Sequence, residues 1–117
     1  MTNLPHILLI RYNDLFKSIT GLHKLEFVGA FLDISENPLL VSLEGLNSLT
    51  RVSNYSNDLP QEAFKISNNS SLTDCSAICE LLVSNGVAGT VNIFNNQLGC
   101  DSQAEVEEVC TGQNLII

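Results

Sequence analysis

Apolar residues recur at every third position along two stretches of this chain. Counted from Asn13 they are Phe16, Ile19, Leu22, Leu25 and Val28, and counted from Asn37 they are Leu40, Leu43, Leu46, Leu49 and Val52. A step of three matches neither the 3.6-residue turn of an α-helix nor the two-residue alternation of a strand. It suits 3₁₀ turns or polyproline-like chain, in which side chains three apart point the same way. Just upstream of each run the pattern changes to alternation, as Leu8-x-Ile10 and Leu32-x-Ile34, and alternation returns as Phe64-x-Ile66 and Val91-x-Ile93. These segments are predicted to be short strands.

An asparagine follows the isoleucine of each strand by three residues: Asn13, Asn37, Asn69 and Asn96, at intervals of 24, 32 and 27. The first two copies agree further, since Ser18-Ile-x-Gly21-Leu22-x-x-Leu25 returns as Ser42-Leu-x-Gly45-Leu46-x-x-Leu49. A unit repeated at this spacing indicates stacked coils. The predicted fold class is therefore α/β, a right-handed solenoid of about four coils with one parallel β-sheet. Where each strand ends and the chain bends, backbone N–H and C=O groups lose their partners. A side-chain amide brings two donors and an acceptor to such a place. Asn13, Asn37, Asn69 and Asn96 are thus expected to form a structural ladder in the core.

The third coil is stretched. Val28 to Ile34 takes six residues, whereas Val52 to Ile66 takes fourteen, which places a polar insertion over 53–63 containing Tyr55 and Pro60. Such a loop is either a carrier of specificity or a solvated excursion. Asn54-Tyr-Ser56 and Asn68-Asn-Ser70 spell glycosylation sequons. Asn69-Ser-Ser71 does so too, but its asparagine is expected to be buried.

The cysteines, Cys75, Cys79, Cys100 and Cys110, all fall in the last third. Cys75, Ile78, Cys79 and Leu82, behind Asp74 as an N-cap, predict an amphipathic helix of about ten residues ended by Asn85-Gly86. Ser102-x-x-Glu105 is a capping box for a second helix, with Val106, Val109 and Cys110 on one face. Cys75 stands six residues after Asn69 and Cys100 four after Asn96, comparable points of successive coils. This favours Cys75–Cys100 and Cys79–Cys110 among the three possible connectivities. Helices stapled in this way would cover the last apolar layer. The cysteine spacings lack the tight C-x2-C knuckles of zinc sites and the C-x-x-C of redox motifs. No metal and no cofactor are expected. The chain divides into repeat coils over 1–74 and a C-terminal repeat with a cysteine-bearing cap over 75–117.

The pattern L-x-I-x-x-N-x-x-L-x-x-L-x-G-L-x-x-L resembles bacterial leucine-rich repeats of the receptor-L-domain-like kind, found in surface and secreted proteins. The similarity covers roughly residues 7–110; the first two copies match well, and the third and fourth depart from it. The resemblance implies a curved solenoid whose sheet face serves recognition, and it implies no catalysis. A family of this kind serves many partners, so it narrows function only to binding.

Charge and composition narrow the partner. Charged residues make up 15% of the chain, well below the usual ~25%. A net charge of −8 with only 5 scattered Lys plus Arg argues against nucleic acid and anionic membrane surfaces. No apolar run approaches ~18 residues, so no membrane insertion is expected. No secretory leader is visible ahead of Ile7. Together with the cysteines this suggests part of a longer secreted or cell-surface protein, with further repeats of the same chain as neighbours. Without them, the strand from Ile7 would leave an apolar layer and a bare edge.

No motif for hydrolysis, phosphate or dinucleotide binding is present, and His6 and His23 have no matched partners, so no enzyme is expected. The outward strand positions form a grid of Leu9 and Arg11, Asp33 and Ser35, Lys65 and Ser67, Asn92 and Phe94, about 7 by 15 Å across. Arg11, Ser35, Lys65, Ser67, Asn92 and Phe94 are the candidate binding residues. Arg11 and Phe94 are of the types that most often anchor contacts. The expected function is a non-catalytic module recognising protein or glycan through this face. The alternative is a structural spacer or capping unit with no ligand of its own.

Overall fold

A computed structural model describes residues 3–53 and 62–112. The heart of the 53–63 insertion, with Tyr55, Pro60 and the Asn54 sequon, lies outside the described residues, as does the Leu115-Ile-Ile tail. The strands are β1 (Asn3–Leu4), β2 (Ile7–Arg11), β3 (Phe27–Val28), β4 (Phe31–Ser35), β5 (Arg51–Val52), β6 (Glu62–Ser67) and β7 (Thr90–Phe94). The helices are α1 (Cys79–Val83) and α2 (Gln103–Thr111), with 3₁₀ turns at Thr20–Leu22 and Ser76–Ile78.

Every strand pairing is parallel, and the strands form two sheets in chain order: β1-β3-β5 and β2-β4-β6-β7. The expectation of one sheet is therefore corrected. The arm before each corner stays extended at Phe27-Val28 and Arg51-Val52, long enough to pair with the same residues of the adjoining pass, Asn3↔Phe27↔Arg51. In the larger sheet, Leu8, Leu32, Phe64 and Val91 stand in one row and Ile10, Ile34, Ile66 and Ile93 in another. Leu32, Ile34, Phe64 and Ile66 are fully buried.

The step of three has a backbone cause. Leu40 N–H donates to the Asn37 carbonyl, Leu46 to Leu43 and Leu49 to Leu46. Each of these i→i−3 turns returns the next inward side chain to the same side. Leu40, Leu43, Leu46, Leu49 and Val52 are all without exposure. The third pass keeps this step, with Leu72, Cys75, Ile78 and Leu81 buried. The predicted ten-residue helix is instead a 3₁₀ turn over Ser76–Ile78 running into a five-residue α1. Leu81 continues the step of three from Ile78, and Leu82 is buried with it. Asp74 accepts from the N–H and hydroxyl of Ser76 and from the Ser42 hydroxyl. The two hydrogen bonds from Ser76 hold its carboxyl below the usual range against the opposing effect of burial, with a lesser contribution from Ser42.

The four asparagines lie one above the next. Asn37 Oδ1 accepts from both the N–H and Nδ2 of Asn13, Asn69 Oδ1 from both of Asn37, and Asn96 Oδ1 from both of Asn69, at 3.0–3.2 Å. The second proton of each amide goes to a strand carbonyl: Asn37 to Ile10, Asn69 to Ile34 and Asn96 to Ile66. At the carboxyl end, Asp101 Oδ1 accepts the Asn96 N–H, and the Cys100 carbonyl takes a further bond from Asn96 Nδ2.

The residue before each ladder asparagine, Tyr12, Glu36, Asn68 or Asn95, is left-handed, with φ of 59, 59, 57 and 56°. Tyr12, Glu36 and Asn68 N–H groups still make the last ladder bond of their strands, to the Ser35, Ser67 and Phe94 carbonyls of the next strand, and the chain turns at this residue into the asparagine that follows. Asparagine tolerates this region and glutamate does not. Glu36→Asn is therefore expected to raise the unfolding free energy by about 0.5–1 kcal/mol in urea titrations; an unchanged or lower value would mean that the corner is unstrained.

Two disulfides, Cys75–Cys100 and Cys79–Cys110, with Cα separations of 5.8 and 5.3 Å, tie the third pass to the last. Ser102 caps α2 by accepting the Glu105 N–H, and Glu105 Oε1 reaches back to the N–H groups of Gly99 and Asp101 rather than to Ser102. Val106 is buried beneath α2 and Cys110 is partly buried, but Val109 is 49% exposed, so the apolar face is narrower than predicted.

Candidate functional site

The outward face of the four-stranded sheet carries two straight rows. Leu9, Asp33, Lys65 and Asn92 are aligned across β2, β4, β6 and β7, and Arg11, Ser35, Ser67 and Phe94 form the adjoining row. The parallel register thus brings the candidate residues onto one surface. Their depth differs from the sequence reading. Phe94 is 40% exposed, as is the Arg11 side chain, and Lys65 and Asn92 are half-buried. Ser35 and Ser67, however, are 4% and 0% exposed, and Asp33 is 3% exposed. These short side chains stand mid-row on strands about 4.8 Å apart, where longer neighbours overtop them. Ser35 and Ser67 are therefore corrected from accessible contacts to the floor of the face.

That floor is chemically incomplete. Asp33 Oδ1 and Ser67 Oγ are out of reach of solvent and have no hydrogen-bond partner among the described residues. Asp33 Oδ2 faces Arg11 Nε at 3.6 Å, an ion pair beyond hydrogen-bond length. A buried oxygen without a donor is destabilising by about 1–3 kcal/mol.

Beside the second row runs a groove of about 370 Å³ lined by Tyr12, Asp14, Glu36, Asn68 and Asn95. It follows from the left-handed corner, which turns the side chain after each row residue sideways. Tyr12 is 67% exposed, with the Arg11 guanidinium 5.4 Å from its ring centroid. Asn95 Nδ2 donates to Asn68 Oδ1 at 3.2 Å. Asn68 is half-buried and Asn69 fully buried, so only the first of these two overlapping sequons has an exposed side. The groove was missed in the sequence because only the Asn-Asn pairs at 68–69 and 95–96 signal a left-handed residue before the ladder; Tyr12 and Glu36 give no such sign.

Among the described residues, no group of three or more His, Cys, Asp or Glu is placed to hold a metal ion, and no helix is long and apolar enough to cross a membrane. The chain matches no protein-family model, no curated protein and no solved structure.

Proposed function

We propose that this chain is a leucine-rich-repeat-like solenoid of the receptor-L-domain kind. It serves as a non-catalytic, extracellular or cell-surface binding module that recognises protein or glycan through its outward sheet face. The observation that carries this reading is the pair of donor-less oxygens on that face, Asp33 Oδ1 and Ser67 Oγ. A ligand with hydroxyl, amide or cationic groups supplies what they lack, once the half-exposed Arg11 swings aside. Arg11, Phe94 and the adjoining Tyr12 offer planar groups against which a sugar ring or an aromatic side chain can pack. The disulfides support an oxidising location.

The test is a screen of the chain against a glycan array and a panel of extracellular proteins, followed by Arg11→Ala and Phe94→Ala. Each substitution is expected to weaken binding of the retained ligand at least ~10-fold, about 1.4 kcal/mol. Phe94→Ala should leave the melting temperature nearly unchanged, whereas Arg11→Ala should also lower it, because it leaves the buried Asp33 carboxylate without its cation. A screen that retains nothing favours the spacer role, and binding indifferent to both substitutions removes the sheet face as the site.

A further inference from the structure

We propose that the uncovered side of the first described pass, along β2, is a docking surface for a partner polypeptide presenting the same strand–corner–arm unit. The partner's strand carries Leu-x-Ile-x-x-Asn and pairs parallel to β2.

The sheet edge is the first reason. Among the described residues, β2 pairs on one side only, with β4. Tyr12 N–H donates to the Ser35 carbonyl. By the alternation of a parallel ladder, Leu8 and Ile10 therefore also face β4, while Ile7, Leu9 and Arg11 turn their backbone groups outward. The apolar layer is the second reason. Leu8, Ile10, Phe16 and Leu22 are half-exposed and line an open groove of about 510 Å³. Their counterparts one pass later, Leu32, Ile34, Leu40 and Leu46, have no exposure, because the first pass covers them.

Two finer features specify a repeat unit as the occupant. Every later ladder oxygen accepts two bonds from the asparagine before it, and among the described residues Asn13 Oδ1 is the one such oxygen with neither. Gly45 is needed because the backbone of the first pass lies against it, with Ile19 O 2.1 Å from where a Cβ would stand. Gly21 holds the equivalent place in the first pass, lines the open groove and has nothing within 4 Å of that position. A glycine there is explained if another pass presses on it as the first pass presses on Gly45.

Arg11, Lys17 and Lys24 are exposed at this end, against Asp14 and Glu26, and Arg11 faces Asp33, so the surface is close to neutral and recognition rests on the strand edge and the apolar layer. A second copy does not supply the unit. Its carboxyl end is closed by α1, α2 and the disulfides, and two copies meeting edge to edge about a two-fold axis would run antiparallel.

The probe is a fluorescent peptide spanning Phe31–Leu46, which contains the strand, the asparagine and three inward leucines. It is titrated against the full chain and followed by hydrogen exchange. Saturable binding is expected, with slowed exchange at Ile7, Leu9 and Arg11. Affinity should fall at least 10-fold for a peptide with Asn37→Ala, and equally for the intact chain with Gly21→Ala, whose melting temperature should not fall. Leu9→Pro, which removes an outward N–H, should act in the same direction. Absence of binding, binding unaffected by Gly21→Ala, or protection of other strands overturns the proposal. So does concentration-dependent self-association that slows exchange of the same three amides without peptide.

Discussion

Replacing Asn37 with alanine is expected to lower the unfolding free energy by about 3–4 kcal/mol, the sum of several stranded partners at about 1 kcal/mol or more each. Asn37 is fully buried. Its Oδ1 accepts two bonds from Asn13, and its Nδ2 donates to Ile10 O and Asn69 Oδ1. Alanine leaves those groups unpaired in a region water does not enter, and three of the four bonds it removes point the same way along the ladder and reinforce one another, the one to Ile10 O running back. For a domain of this size the melting temperature should fall by roughly 12–25 °C. Asn13→Ala, at the half-exposed end and with no bond to its Oδ1, should lose only about 1 kcal/mol. Calorimetry on both variants checks the gradient. A loss below 1 kcal/mol at Asn37 would show that the amides are aligned without holding the passes together.

Gly45→Ala should be comparably damaging, by about 3 kcal/mol or more, and Gly21→Ala should be neutral or mildly stabilising. The two glycines occupy the same place in consecutive copies of one motif. At Gly45 the φ of +121° disfavours any side chain, and an added Cβ would stand 2.1 Å from Ile19 O, 2.7 Å from Ile19 C and 2.9 Å from Thr20 Cα. All are backbone atoms that cannot turn away, so a left-handed penalty and an overpacking penalty add. At Gly21 the Cβ meets open space, and alanine only removes freedom from the unfolded chain. Urea unfolding of the pair isolates the effect of the neighbouring pass from that of the residue. Equal losses at both sites would refute it.

How much of this was legible can be read from particular residues. Parallel strands, the step of three and the cysteine pairing are visible because each rests on a periodic set of side chains. The second sheet is not, since two residues such as Phe27-Val28 are too few to show an alternation. The overlong helix at Cys75 has a definite cause. Cys75, Ile78, Cys79 and Leu82 fit helical spacing, while Leu72, Cys75, Ile78 and Leu81 fit a step of three, and the two patterns share residues. On the sheet, parity tells which face Ser35 and Ser67 occupy. Whether they reach solvent depends on neighbours 27 and 32 residues away, which no local pattern encodes. The corner groove was hidden for a similar reason, because Tyr12 and Glu36 adopt a conformation their own chemistry disfavours.

The order of pairing has a consequence for how the molecule assembles. Each disulfide spans 25 or 31 residues, each ladder bond between asparagine side chains spans 24 to 32, and no strand of the larger sheet pairs with one further off than its neighbour. Every segment needs only the one beside it as a template, and closing loops of similar length carries a similar entropic cost at each step. Assembly can therefore zip from the covalently fastened end toward the amino end, one winding at a time, with the last winding laid down also the first to fray.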